Sequence, residues 1–328
     1  MVRVLVTGAN GFIGSNLCRR LLTEGFAVNA LVRKSSDLQF IENLSLQLFY
    51  GDITQPETLK PAMEGVRKVF HVAGLAADWG RFSLFEKTNF HGTKNVVLAA
   101  AEVDVQRFIY VSTVAFHGFG KQNVAEGDPP AKNLIPYAQT KLMAEQWLWD
   151  FAKTSPMEIT VVRPGNVFGI NDRTFIFKYI DALLRGKFAE INHGKSKTCP
   201  VYVENLVDIM MLVATEPKAV GNAYLATDGL DIRWHEFNEA LVKQLGVPLP
   251  KTSLPYGPAM AAAKSYYAVH RLLGLRSEPF LTPYRINNGG KDYHFSIQKL
   301  KDHFGYVPKV GLDEGLKRTV ESYREYAL

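Results

Sequence analysis

The chain has 328 residues, 47% of them hydrophobic and 21% charged, with a formal net charge of +6; that length sustains a large core, as one enlarged domain or a domain plus a smaller lobe. No run approaches the roughly 18 apolar residues of a membrane span, and the two cysteines, Cys18 and Cys199, make no disulfide framework, so a reducing cytoplasm is the expected setting. The modest charge forms no dense basic stripe and excludes nucleic acid as the expected partner, while staying compatible with an anionic cofactor or a peripheral membrane contact.

In chain order, Val2–Val6 is an apolar run broken only by Arg3, which reads as a strand buried in a parallel sheet. Residues 7–14, Thr-Gly-Ala-Asn-Gly-Phe-Ile-Gly, follow, and an amphipathic helix begins within them and ends near Gly25. Strand, glycine-rich turn and helix form a phosphate cradle. Gly8 allows the tight turn, Gly11 lets the backbone approach a pyrophosphate, and Gly14 lets helix pack on strand, with Asn10, Phe12 and Ile13 between them. Further strands are expected at Ala27–Val32, Leu46–Tyr50, Lys68–Val72, Arg107–Val111 and Glu158–Val162, and helices near Gln55–Glu64, Phe82–Val103 and Pro136–Lys153. This alternation predicts an α/β, doubly wound parallel sheet. Beyond Pro164 it becomes irregular, as suits a substrate lobe, and Val201–Val203 and Asn222–Ala226 read as strands returning to the sheet.

In open parallel sheets, ligands sit at the carboxyl ends of the strands. Asp52 and Ile53 there could hold an adenine ring by its amino group and face. Ala73 and Gly74 would let the backbone pass close to a dinucleotide, and Ser112 and Thr113 put two hydroxyls near its reactive end. Singly, Asp52 also reads as a turn or cap, and the two hydroxyls as satisfied strand ends. Tyr137 and Lys141 are one helical turn apart, so both side chains share a face. A phenol beside an ammonium suits general acid/base work, because the positive charge favours the phenolate.

Taken together, these segments are identified as those of an extended-type short-chain dehydrogenase/reductase. The resemblance rests on TGANGFIG at 7–14, GDIT at 51–54, HVAG at 71–74, NFHGTKN at 89–95, YVSTVAFHG at 110–118, YAQTK at 137–141, RPGNVFG at 163–169 and VYVENLVDIM at 201–210. It implies a Rossmann domain binding NADP(H) over 1–165, with returning segments near 201–228, and a substrate lobe over most of 166–328. It also implies roles. Tyr137 is the proton donor in reduction, Lys141 lowers its pKa and holds the nicotinamide ribose, and Thr113, or else Ser112, bonds the reacting oxygen. Asn89 organises the site, and Pro164, Gly165, Asn166 and Val167 lie along the nicotinamide. No metal is implied, and a homodimer is the expected assembly.

The end of the second strand carries Arg33 and Lys34 where NAD enzymes place a carboxylate for the ribose 2′-hydroxyl. Cations there suit a 2′-phosphate, so NADP(H) is preferred and NAD(H) is the alternative. Val114 and Ala115 stand where the family's dehydratases carry an Asp-Glu pair, which removes that chemistry, and His117, where many relatives have tyrosine, reads as a packed, hydrogen-bonded histidine, with a substrate-side group as the alternative. ADWG at 77–80, EPFLTPYRI at 278–286 and residues 292–316 resemble the 3β-hydroxysteroid dehydrogenase-like subgroup. The expected reaction interconverts a secondary alcohol and a ketone on a bulky apolar small molecule. The alternative is a nucleotide-sugar 4-epimerase or reductase, with Arg173, Lys178, Lys195 and Lys197 available for a diphosphate.

Overall fold

Short β-branched and aliphatic runs, each followed by a helix-period segment, fold into one parallel sheet. The computed structural model describes residues 1–275 and 277–327. The strands are β1 Arg3–Thr7, β2 Ala27–Val32, β3 Gln47–Tyr50, β4 Lys68–His71, β5 Arg107–Val111, β6 Glu158–Pro164 and β7 Ala223–Ala226. All neighbours pair in parallel, in the order β7-β6-β5-β4-β1-β2-β3. The order reverses at β1, so the connections leaving β1 and β4 diverge and open a crevice at the carboxyl ends of those strands.

Four helices cover the sheet. These are α1 Phe12–Thr23, α2 over Phe82–Phe85, Glu86–His91 and Gly92–Ala101, α3 Pro136–Ala152, and α4 Val203–Thr215. The middle stretch of α2 is π-helical. Alternate residues of β1 feed two cores, as the period of two requires. Val4 and Val6 pack with α1 and α4, whereas Leu5 packs with α2 and α3. The helix expected over Gln55–Glu64 is shorter, a 3₁₀ turn at Pro56–Thr58 and then Lys60–Met63.

The second lobe gathers around Phe168, Tyr202 and Phe237, with two more helices, α5 Tyr256–Leu272 and α6 Pro283–Gly290, beside it. The chain then comes back. Ile297, Leu300 and Tyr306 join the core of the sheet domain beside Tyr224 of β7, so 166–328 contributes more to that domain than the segment near 201–228. Apolar side chains at 297, 300 and 306 find their burial there because β7 leaves that end of the sheet face uncovered by α1 and α4.

Two buried polar systems fix the elements around the crevice. Glu145 of α3 accepts from Arg163 of β6, with Nη2 at 2.5 Å, and from the Ser112 hydroxyl at 2.7 Å. In the other, the Ala73 amide donates to Thr7 Oγ1 at 3.2 Å, and Thr7 stands 2.7 Å from His71 Nδ1. His71 Nε2 lies 3.0 Å from Thr93 Oγ1, which donates to the Asn89 carbonyl at 2.7 Å. An amide can only donate and a carbonyl can only accept, so the ends assign the chain: Thr7 donates to Nδ1, and Nε2–H donates to Thr93.

Burial holds His71 neutral, with its pKa pulled down to about 3, mainly by desolvation and secondarily by the Lys141 charge. The unfolded chain protonates this residue near its ordinary pKa, so between about pH 6.5 and 3 the unfolded state binds more protons and stability falls as pH falls. Urea unfolding at stepped pH should show this residue removing up to about 1.4 kcal/mol per pH unit in that window. His71→Gln should flatten that share of the slope, and an unchanged slope would show that His71 titrates alike in both states.

Candidate active site

The glycine turn is built for an anion. Gly8 has φ of +69°, and a Cβ there would lie 2.9 Å from the Ala73 backbone, so β1 and the segment after β4 approach too closely for a side chain. At Gly14 a Cβ would lie 2.1 Å from the Gly8 carbonyl oxygen. Helix α1 starts after Gly11 with no side-chain cap and no acidic residue in its first turn. Its amide donors and positive dipole end are therefore left for a ligand, which fits a pyrophosphate. The side chain of Phe12 packs into the second-lobe core and that of Ile13 against both cores, which leaves their backbone amides to line the cradle.

At the end of β2, Arg33 and Lys34 are exposed. The Arg33 amide donates to Ser36 Oγ at 3.1 Å, closing a turn. Among the described residues neither cation pairs with a carboxylate. The loop is held from two sides. Asn10 Nδ2 donates to the Asp37 carbonyl at 3.1 Å, and Arg173, from the second lobe, bonds the Asp37 carboxylate at 3.0 Å while stacking on Phe40. Asp37 and Arg173 had no sequence signal at this corner, since 136 residues separate them.

Asp52 closes a turn, its Oδ1 accepting from the Thr54 amide at 2.8 Å. Ile53 does not present a face to a ligand: it is buried against Gly92, where a Cβ would meet it at 2.9 Å, and its carbonyl accepts from Asn95. Ala73 and Gly74 run along the crevice, and a Cβ at Gly74 would lie 3.2 Å from Asn89 Oδ1 and 3.9 Å from Lys141 Nζ. Asn89, in the π-helical stretch, clamps this segment. It accepts from the Leu75 amide at 2.7 Å and donates to the Leu75 carbonyl at 3.0 Å and to Thr140 Oγ1 at 3.2 Å. π-Helical insertions recur at functional sites, and this one turns Asn89 inward.

After β5 the two hydroxyls part company. Consecutive residues point to opposite sides. Ser112 is spent on Glu145 and does not reach the site, which corrects its candidacy for bonding the reacting oxygen. Thr113 Oγ1 accepts from the Ala115 amide at 3.0 Å, leaving its own O–H to donate, and the hydroxyl faces the Tyr137 phenol. Burial pushes the Tyr137 pKa up, and the Thr113 bond opposes this. Lys141 is anchored on β5. Its ammonium donates to the Val111 carbonyl at 2.5 Å and lies 4.2 Å from the centre of the Tyr110 ring. Desolvation lowers its pKa to about 7, and Glu145, one turn on, resists that fall.

Across the crevice, Pro164–Val167 passes beside the strand Pro200–Tyr202, and a Cβ at Gly165 would lie 2.4 Å from the Cys199 carbonyl. Asn166 is held by Thr198 and Asn288. His117 is buried against Phe116, with its pKa pulled down to about 4 by desolvation and by Arg163. The substrate side was less visible in the sequence. Tyr284 of α6 joins Tyr137 in one apolar cluster with Phe116 and Ile135, and it stacks edge-on to Phe119. Asp78 accepts from Thr282 Oγ1 at 2.5 Å and pairs with Arg285 at 3.1 Å, so the loop after β4 is locked to α6.

Residues 4–226 match the NAD dependent epimerase/dehydratase family. The chain is 30% identical over 318 residues, 96% of its length and 95% of the relative's, to a 4-hydroxy-2-methyl-3-oxo-4-farnesyl-3,4-dihydroquinoline-1-oxide ketoreductase of Stigmatella aurantiaca. It is 31% identical to the sterol-4-alpha-carboxylate 3-dehydrogenase, decarboxylating, of Mus musculus, covering 97% of this chain and 90% of that one. Among solved structures, gox2253 superposes with a TM-score of 0.84 at 28% identity, covering 99% of both chains. With the glycine cradle at the switch point and the tyrosine helix beside β5, the chain belongs to the NAD dependent epimerase/dehydratase family and is an extended short-chain dehydrogenase/reductase, a nicotinamide-dependent oxidoreductase.

Proposed function

We propose that the protein is an NADP(H)-dependent oxidoreductase that interconverts a secondary alcohol and a ketone on a bulky apolar substrate. The observation that carries the reading is the meeting of Tyr137, Thr113 and Lys141 at the end of β5, across from the glycine turn. A nicotinamide cofactor held in the glycine cradle and by Lys141 would supply the hydride chemistry at the carbonyl carbon. In reduction the Tyr137 phenol, kept protonated by burial, gives its proton to the carbonyl oxygen. The Thr113 hydroxyl, turned toward the Tyr137 phenol before substrate enters, would swing to donate to the same oxygen as charge develops on it. Lys141 keeps two N–H bonds beyond the one on Val111, enough to hold ribose hydroxyls and favour the phenolate left on Tyr137.

The unpaired Arg33 and Lys34 support NADP(H), because a 2′-phosphate would form charge-assisted bonds with both. The aromatic wall of Phe119, Tyr284 and Tyr293 beside Tyr137 supports an apolar substrate. So do the names of the relatives, which include 2-alkyl-3-oxoalkanoate reductase of Shewanella oneidensis. A nucleotide-sugar diphosphate is the weaker reading, since Arg173 is engaged by Asp37, Lys178 faces Glu278 at 3.9 Å, and Lys197 pairs with Asp231 at 2.6 Å.

Tyr137→Phe should lower kcat by at least about 10²–10⁴-fold while NADPH binding, followed by fluorescence titration, stays near the parent value. Unchanged turnover would mean that another group handles the proton. The parent enzyme should prefer NADPH, and Arg33→Ala should cut kcat/KM for NADPH by about tenfold to a hundredfold, leaving NADH nearly unaffected. A parent that prefers NADH would sink the cofactor reading. Glu145→Gln removes the charge that keeps Lys141 protonated, so the alkaline limb of the pH profile for reduction should move to lower pH. A limb that stays in place would show that Lys141 does not set it.

A further inference from the structure

Between Arg33 and Ile41 the chain carries two cations, Arg33 and Lys34, and a single carboxylate, Asp37. The Ser36 amide donates to the Arg33 carbonyl at 2.9 Å, so residues 33–36 close a turn and Asp37 follows directly behind it. Asn10 of the glycine turn donates to the Asp37 carbonyl at 3.1 Å, which brings this residue to the same corner of the crevice as the two cations. A carboxylate at that corner repels a ribose 2′-phosphate and accepts from a ribose 2′-hydroxyl. The Asp37 side chain is 63% exposed, yet it is not free. Arg173 Nη1 bonds it at 3.0 Å, and Nη2 donates to Gln39 Oε1. The same guanidinium lies 4.3 Å from the centre of the Phe40 ring and 4.6 Å from that of Tyr326 in the C-terminal helix, Leu312–Ala327.

The seat of Arg173 is fixed independently of the loop. Asp172, fully buried, accepts from the amides of Thr174, Phe175 and Ile176 at 3.0 Å each. Asn16 of α1 donates to the Ile170 carbonyl at 2.9 Å, and the Asn171 amide donates to Ser322 Oγ at 3.2 Å. A lone surface ion pair contributes little. This guanidinium instead holds three residues of the loop at once, from a backbone anchored on α1 and the C-terminal helix.

We propose, on the NADP(H) reading above, that Arg173 sets the preference of this corner by holding the Asp37 carboxylate away from the ribose, so that Arg33 and Lys34 alone read the 2′ position. Arg173 touches no cofactor; it is a positioning residue that acts through Asp37. Without it, Asp37 turns to the ribose, where it repels a 2′-phosphate and accepts from a 2′-hydroxyl. The loop thus carries the groups for both cofactors, and a residue of the second lobe selects between them.

The test is titration of the full chain with NADPH and with NADH, followed by nicotinamide fluorescence, which reads binding without turnover. Arg173→Gln should weaken NADPH by about threefold to tenfold, while NADH binds as well as to the parent or better. In an Asp37→Asn background the same change should weaken NADPH by less than about twofold, because the carboxylate that Arg173 restrains is gone. Arg173→Lys, which keeps a cation for Asp37, should retain most of the parent ratio and serves as the second variant if Arg173→Gln does not fold. An Arg173→Gln loss of the same size with and without Asp37 overturns the proposal, since the guanidinium would then meet the phosphate itself. Equal losses for NADPH and NADH overturn it too, because they mark a merely structural role. A parent that binds NADH more tightly defeats the NADP(H) reading; a parent that prefers NADPH, with a ratio unmoved by Arg173→Gln, defeats only the role of Arg173.

Discussion

A lysine ammonium and a carboxylate one turn apart on α3, at 3% and 1% exposure, set the constraint from which the site follows. Charges taken out of water are tolerated only when their partners are fixed and complete. Glu145 has its partners in Arg163, Ser112 and Trp149, drawn from β6, β5 and its own helix. Lys141 has the Val111 carbonyl and the Tyr110 ring, both on β5. A shift of α3 by one residue would take both charges away from these partners, so the helix has one register against the sheet. Tyr137, one turn before Lys141, inherits that register. The phenol is thus placed by charges below it more than by contacts of its own.

The two halves of the site are held differently. On the cofactor side the backbone does the work, through Gly8 against Ala73, Gly14 against Gly8 and the uncapped start of α1. On the substrate side, side chains from distant parts of the chain do it, with Asp78 on Thr282 and Arg285, and Trp79 on α5. The first arrangement suits a ligand whose phosphates are constant. The second allows the crevice wall to be rebuilt by altering residues far from the proton-handling group.

This division also explains what the sequence made legible. The strands, α1 and the glycine turn announce themselves by local periodicity and spacing, and Tyr137–Lys141 by one helical turn. Ser112 and Thr113 could not be told apart, since neighbouring strand residues face opposite ways and only the position of Glu145 shows which way is inward. The Lys141 bond to Val111 was equally hidden, because spacing reports which residues share a face and not which acceptor an ammonium chooses. Ile53 looked like a ligand contact at a strand end, but Gly92 opposite it leaves a hole that its side chain fills. Asp78 with Thr282 is a pairing across 204 residues and leaves no local trace.

The hydrogen-bonded chain from Ala73 through Thr7, His71 and Thr93 to Asn89 touches both halves. One end is an amide that cannot accept and the other a carbonyl that cannot donate. Every hydroxyl and ring nitrogen between them therefore has its direction fixed, and no concerted flip can reverse it. A histidine so close to Lys141 looks like a relay, yet this chain behaves as a proton insulator. Protons released or consumed at the reacting carbonyl have no route sideways into the sheet through His71, and their exchange with water is confined to the open side of the crevice.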